Sequence, residues 1–448
     1  MKSSHPHPAR IAILHHTGGG NLGDDAIMDA VIHNIRKRWP DADITVFSMN
    51  PGDTARRHGI PSWPIRRHTW GIGYSAEKNQ DGAAEEKKSL RRRFATTKNP
   101  LVRLPRSIFG ELAFLVSSFR KLRPFHMLIV SGGGQLTERS GPWSFPYAVF
   151  TWIFLARLAG VRRVFLSVGA GPLRHPLSKF FARRALYASN YVSFRDEPSQ
   201  TLATQIGFHG KSQVFPDNAY TLDVALPKPS SEPRDRPVVG IAPMPWPFCD
   251  PREYKSENLQ ALYDEYLAKF ADFAASLVRY SCTLELFGSD AGADPGAIED
   301  LRNVLRTRHG IETPPSEPID SVDSLLSRMS AMDYVVTCRF HGLVMAHILN
   351  KPVIAISHHP KVADLMNALG LSAYCVDIRS FDPGRLADTF VQLVDHTGEV
   401  KSSMAASLAS CRSRAELQFD HLFPPFQSEA VEIAPDTETA AVAGSGRS

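Results

Sequence analysis

Arg339 and His341 stand two residues apart in the run Cys338-Arg339-Phe340-His341-Gly342, directly after a strand-like stretch, Tyr334 to Thr337, and where a helix is expected to begin. A guanidinium, an imidazole and the unpaired N–H groups of a first helical turn can together receive one anion. A satisfied surface histidine is the competing reading of His341. Arg195, in Arg195-Asp196-Glu197, likewise follows a strand-like run that ends at Phe194. Its planar fork suits a carboxylate or a phosphate, and an arginine paired with its acidic neighbours is the alternative. His359 and Lys361, flanking Pro360 after another strand, either line the same cleft or occupy a polar turn.

Three glycine-rich turns accompany these cations. Gly18, Asn21, Gly23 and Asp24 lie between a strand-like run and a helical one; Gly132, Gly133 and Gly134 close a second strand, and Gly169 and Gly171 a third. Such turns let backbone donors approach an anion, and strand ends are where open α/β sheets place ligands. Each turn alone could serve only to pack helix on sheet, but three in one half of the chain exceed what packing needs. The first lacks the Gly-Lys-Ser/Thr of a phosphate loop and the spacing of a dinucleotide fingerprint. Asp24, Asp25, Glu138 and Asp217 are carboxylates that could take a proton from a hydroxyl, and their order is open. No zinc-type spacing of His and Cys occurs, so no metal is expected. The five cysteines stand singly, which argues against a disulfide framework or a redox pair.

The elements that must position these residues alternate as in an α/β protein. Strands are expected at Ile11 to His15, Ile44 to Ser48, Met127 to Ser131, Val164 to Val168, Tyr191 to Phe194 and Gln213 to Phe215. After a proline-rich linker, Leu226 to Pro237, they resume at Val238 to Ala242, Thr283 to Phe287, Tyr334 to Thr337, Val353 to Ile356 and Tyr374 to Asp377. Helices fit between most of them. The expected organisation is two Rossmann-like units, residues 1–228 and 237–425, and an Ala/Glu/Thr/Gly/Ser tail at 428–448 too polar to order itself.

The chain has 448 residues, 43% hydrophobic and 22% charged, the composition of a globular protein. No apolar run approaches the ~18 residues of a membrane span, and the first ten residues carry no secretory signal, so a cytoplasmic location is expected. The net charge of +5 is uneven: residues 66–124 hold 14 Lys/Arg against 5 Asp/Glu. Residues 66–106 read as a mobile basic insertion, and Ile108 to Leu122 as a core helix in preference to one lying on a membrane. Nucleic acid is not an expected partner, because aromatics other than Phe94 are not interleaved with the basic residues of that insertion.

In order, the strings GGGNLGDDA, VSGGG, SVGAGPL, FRDEPSQTLATQIGF, VFPDNAY and CRFHGLVMAHILNKPVIAISHHPKVADLMNALGL resemble the polysaccharide pyruvyl transferase family, from about Ile11 to Leu371 without the basic insertion. The resemblance implies a two-domain GT-B-like fold with a central cleft. It also implies transfer of the pyruvyl group of phosphoenolpyruvate to a hexose or hexosamine of a cell-surface glycan, or of its lipid-linked precursor, as a ketal. Arg339 and His341 match the family's Arg-x-His element and Arg195 its Arg-Asp-Glu element, so these three are the expected catalytic residues. Gly18, Asn21, Gly23, Asp24, Gly132, Gly133, Gly134, Gly169, Gly171, Asp217, His359 and Lys361 are expected to bind substrate. No cofactor is implied beyond phosphoenolpyruvate as donor, and the basic segment suggests peripheral contact with an anionic membrane surface. Two departures are GDDA in place of GDEA and Phe340 where Leu is common. A GT-B glycosyltransferase or sugar-phosphate epimerase with a nucleotide-sugar donor, and a non-catalytic glycan-binding relative, remain as alternatives.

Overall fold

The computed structural model describes residues 9–67, 100–138, 141–224, 235–249, 258–315 and 317–424. Most of the linker at 226–237 and the whole 428–448 tail lie outside the described residues, as do residues 68–99 of the basic insertion.

The first half builds a parallel sheet of seven strands in the order β3-β2-β1-β4-β5-β6-β7: β1 Arg10–Leu14, β2 Asp43–Ser48, β3 Ser62–Pro64, β4 Met127–Ser131, β5 Arg162–Val168, β6 Tyr191–Phe194 and β7 Gln213–Val214. Both neighbours of β1 pair in parallel, Ile13 opposite Val46 on one side and Ile129 on the other. Strands buried on both faces read as continuous apolar runs, which is why these were recognisable. The second half builds a five-stranded parallel sheet in the order β12-β11-β10-β8-β9: β8 Val238–Ala242, β9 Thr283–Leu286, β10 Tyr334–Thr337, β11 Val353–Ser357 and β12 Cys375–Asp377. Strand order reverses between β1 and β4 in the first sheet and between β8 and β10 in the second. A crevice opens at the strand C-termini at such a reversal, so the topology itself designates these two places for a ligand.

Helix α1, Leu22–Arg38, follows β1. The Asn21 side chain accepts from the Gly23 N–H, Asp24 and Asp25 fill the first turn and Arg36, Lys37 and Arg38 the last, so cap and charges agree with the helix dipole. Helix α2 is Pro51–His58. Helix α3, Pro100–Leu122, corrects the expected loop over 66–106, because residues 100–106 are its first turns. Helices α4 Phe145–Leu158, α5 Pro176–Tyr187 and α6 Glu197–Gln205 follow β4, β5 and β6. In the second half α7 is Leu259–Arg279, α8 Asp294–His309, α9 Val322–Ser330, α10 Phe340–Ile348, α11 Pro360–Ala368 and α12 Pro383–Asp395.

The last helix, α13 Thr397–Leu422, joins the two halves. Near its start the Met404 carbonyl and Ser407 hydroxyl meet His347 of α10, and towards its end Glu416 and Asp420 bind Arg38 of α1. One hydrophobic core accordingly runs from Ile11, Ile13 and Val31 through Leu343 and Val344 to Phe419. A second core, on the other face of the first sheet, packs Leu14, Phe47 and Val130 against Trp152, Ile153 and Ala185 of α4 and α5.

Candidate active site

The loops after β1, β4, β5 and β6 and those after β8, β9, β10 and β11 line one cleft of about 710 Å³, within the ordinary range of small-molecule sites. The first glycine-rich turn closes its inner end. Leu22 N–H donates to the Ser289 carbonyl at 3.1 Å and Ala291 N–H to the Gly20 carbonyl at 2.8 Å, so the turn pairs across to the loop after β9.

Arg195, Arg339, His341, His359 and Lys361 all reach the cleft, as do Asn21, Asp24, Gly134, Gly169 and Gly171. Gly18, Gly23, Gly132, Gly133 and Asp217 are not among its lining residues. They act from behind. A side chain at Gly23 would overlap the imidazole of His341, and one at Gly169 would sit 2.7 Å from the Arg195 guanidinium. Gly133 is backed by Asp24 and His15, Gly132 by Ile27 and Asn218, and Gly18 by Asn50. The missing side chains therefore make room for the site's own side chains more than for a ligand's approach.

His341 occupies the first turn of α10, with Arg339 as N-cap. Its Nε2 is buried without a hydrogen-bond partner and lies 3.9 Å from Asp217 Oδ2, an ion-pair separation too long for a hydrogen bond. Burial pushes the Asp217 carboxyl up, but His341 and Arg195 outweigh it and hold the group at about 2. Arg195 meets Asp217 at 3.3 Å and Asp196 at 3.2 Å, and its guanidinium lies 4.2 Å from the centre of the Phe340 ring, with the Lys361 ammonium 5.8 Å from it. Phenylalanine in place of the common Leu thus gives the two cations a π-face. Arg339 is committed further: Nε bonds Asp294 at 3.0 Å, Nη2 bonds the same oxygen, and Nη1 faces Asp290 at 3.4 Å. An incoming anion must displace one of these carboxylates to use its fork.

The four candidate proton acceptors separate by environment. Asp25 faces Arg57 at 3.7 Å and His58 at 3.5 Å, away from the cleft. Glu138 accepts the backbone N–H groups of Arg174 and His175. Asp217 is held ionised beside Arg195 and His341. Asp24 lines the cleft, and burial raises it to about 6, Asp25 and Asp290 adding to the effect while His341 and Lys361 oppose it.

Three residues with work here were not anticipated. His16 lines the cleft half-buried, its ring stacked on Phe145 at 3.6 Å, its imidazole pushed well below the usual range by desolvation and its Nε2 unpartnered. Its signal was its place between the end of β1 and the glycine-rich turn. Asp290 and Asp294, which hold Arg339, follow β9 in Gly288-Ser289-Asp290 and open α8, the same strand-end position that marked the other loops. Burial raises Asp294 to about 6 against the pull of Arg339. Among the described residues no group of His, Cys, Asp and Glu could hold a metal ion.

The architecture recurs in solved structures. The UDP-GlcNAc 2-epimerase of Neisseria meningitidis bound to UDP-GlcNAc superposes with a TM-score of 0.53 at 12% identity, over 92% of this chain and 99% of that one. The spinosyn rhamnosyltransferase SpnG with its aglycone gives 0.51, also at 12% identity and over 92% and 99%. These neighbours share the GT-B arrangement of two Rossmann-like domains about a cleft. No curated protein sequence matches the chain. The family model for polysaccharide pyruvyl transferases does, over residues 21–360, from the cap of α1 to the proline that opens α11. That span contains the glycine-rich ends of β4 and β5 and Arg195, Arg339 and His341, and the chain belongs to the polysaccharide pyruvyl transferase family.

Proposed function

We propose that the chain transfers the pyruvyl group of phosphoenolpyruvate to two hydroxyls of one sugar in a cell-surface glycan or its lipid-linked precursor, forming a pyruvate ketal and releasing phosphate. The observation that carries this reading is the convergence of His341, Arg195 and Lys361 on the open first turn of α10, beside Asp24, a carboxyl poised to exchange a proton. Phosphoenolpyruvate is small and bears two anionic groups, which suits Arg195, Lys361 and the N–H groups of that turn.

In the first step Asp24 takes the proton of a sugar hydroxyl as its oxygen bonds to C2, and protonated His341 supplies a proton to C3, turning methylene into methyl. The C2–O bond to phosphate then breaks, the leaving group taking both electrons. A second hydroxyl of the same sugar bonds to C2 and its proton leaves with phosphate, closing the ketal. Arg195 and the α10 turn offset the negative charge on carboxylate and departing phosphate. Arg339, bound to Asp290 and Asp294, positions the first turn of α10, which carries His341.

The test is thermal stabilisation, because a ligand that binds only the native state raises its melting temperature. Phosphoenolpyruvate is expected to raise the melting temperature of the wild type and to lose that effect in Lys361→Ala. A rise with UDP-N-acetylglucosamine alone would move the assignment to nucleotide-sugar chemistry.

A further inference from the structure

Helices α3, α4 and α5 form the outer layer of the N-terminal domain, and their solvent side departs from an ordinary surface. On α3, Phe109, Leu112 and Val116 are 75%, 55% and 43% exposed. Their spacing of three and four residues makes one helical stripe pointing away from the core. A second exposed apolar group lies beyond the helix, joined to it through two arginines. The Arg67 guanidinium lies against Gly110, the Arg66 side chain donates to the Trp143 carbonyl, and the Trp143 ring, itself 58% exposed, packs 5.7 Å from Phe181 of α5. Leu177 and Phe180 extend it along α5. Clustered exposed apolar side chains on one layer of a globular domain mark a surface that meets something.

The charge around the stripe points to the occupant. Helices α3, α4 and α5 carry eight Lys and Arg and a single acidic residue, Glu111. Lys179 and Arg184 flank Phe180 on the exposed side of α5. At the far end of α3 exposed Arg120, four residues after Val116, continues the stripe with a cation, and on α5 the Arg184 guanidinium lies 5.5 Å from the centre of the Phe180 ring. Large amphipathic rings beside cations, over an apolar stripe, suit the boundary between water and acyl chains at an anionic membrane. Among the described residues no helix is long and apolar enough to cross one.

The patch ends at the cleft. Phe145, which opens α4, lines the cleft two residues after Trp143; Glu138, also in the lining, holds the backbone of His175, the N-cap of α5 two residues before Leu177. We infer that this face docks on an anionic membrane surface, with the mouth of the cleft at the edge of the contact. The expectation that Ile108 to Leu122 is an ordinary core helix is thereby revised: one side of α3 packs against α4 and the other is free to lie on lipid.

The test is co-sedimentation of the full chain with vesicles of phosphatidylcholine alone or mixed equally with phosphatidylglycerol, without phosphoenolpyruvate, so that it succeeds or fails independently of the proposed reaction. Sedimentation with the mixed vesicles only, weakened by salt, is expected. The triple variant Phe109→Ser, Leu112→Ser, Val116→Ser should lose about tenfold or more in partitioning while its melting temperature is kept, since the altered side chains face water. Wild type remaining in the supernatant with mixed vesicles would overturn the inference. So would a folded triple variant that sediments like wild type, or loss of binding on deleting residues 68–99 with the triple variant unaffected. A dimer that the triple substitution converts to monomers, without vesicle binding, would assign the face to a second copy of the chain instead.

Discussion

Two aspartates show how the cleft divides roles between identical side chains. Both are desolvated, Asp217 fully buried and Asp24 half-buried at the cleft, but Asp217 faces Arg195 and His341 and sits at about 2, whereas Asp24 has weaker compensation and sits at about 6. Environments that push two carboxyls apart in this way assign one as a permanent anion and the other as a proton carrier. If Asp24 is the base, it must be ionised to act, so kcat is expected to fall as pH drops through about 6. Asp24→Asn should remove that limb and about 100-fold or more of kcat; a pH–rate profile unchanged in the variant would exclude Asp24. The same shift has a stability consequence of opposite sign. The native state holds the Asp24 proton more tightly than the unfolded chain, so this group's contribution is greatest below the ordinary 3.8 and is lost as pH rises through about 6. Asn, uncharged throughout, should therefore stabilise the protein above that pH by on the order of 2–3 kcal/mol and confer little below 3.8, a difference that denaturant midpoints across pH would read. Both aspartates were legible in the sequence as candidates, but nothing in the local sequence ranked them, because burial and the partners of Asp217, Arg195 and His341, come from three separate segments.

At the scale of elements, catalytic geometry depends on how closely α1 approaches α10. Gly23 lies in the first turn of α1 against the ring of His341, so a methyl group there must push the imidazole away from Asp217. Gly23→Ala is expected to cost about 100-fold in kcat, the scale of a misplacement of roughly 1 Å, and His341→Ala should abolish turnover with the fold retained. Near-normal turnover in either folded variant would remove His341 from the chemistry. The strands and helices that set this approach were readable because they are long, apolar and punctuated by glycine. Helix α2 was not, since Thr54 is its only buried residue and it carries no apolar stripe. The three-residue edge strand β3 was missed as well: it ends in Pro64, and proline in so short a run argues against a strand. Helix α10 starts at Phe340, three residues before the expected Leu343, because the Arg-x-His element is itself the first turn.

Across the whole molecule, the C-terminal helix ties the second half of the chain to the floor of the cleft in the first. Gln418 of α13 accepts from the Ser167 hydroxyl at 2.8 Å and donates to the Ser193 hydroxyl, which in turn receives the Ser167 N–H at 2.8 Å. Ser167 has φ of 48°, a left-handed conformation costly for a residue with a side chain, and stands two positions before Gly169, the backing of Arg195. A residue some 250 positions away thus steadies the strand end on which Arg195 rests. Gln418→Ala would leave the buried Ser167 hydroxyl without its partner, a loss of about 1–3 kcal/mol, or roughly 1 °C of melting temperature for each kcal/mol when both halves unfold together. The core from Ile11 to Phe419 is continuous across both sheets, so calorimetry should show one transition displaced as a whole. Two transitions, with only one of them lowered, would mean that each half unfolds alone and that α13 is a strap on the N-terminal domain, not a part of a shared core.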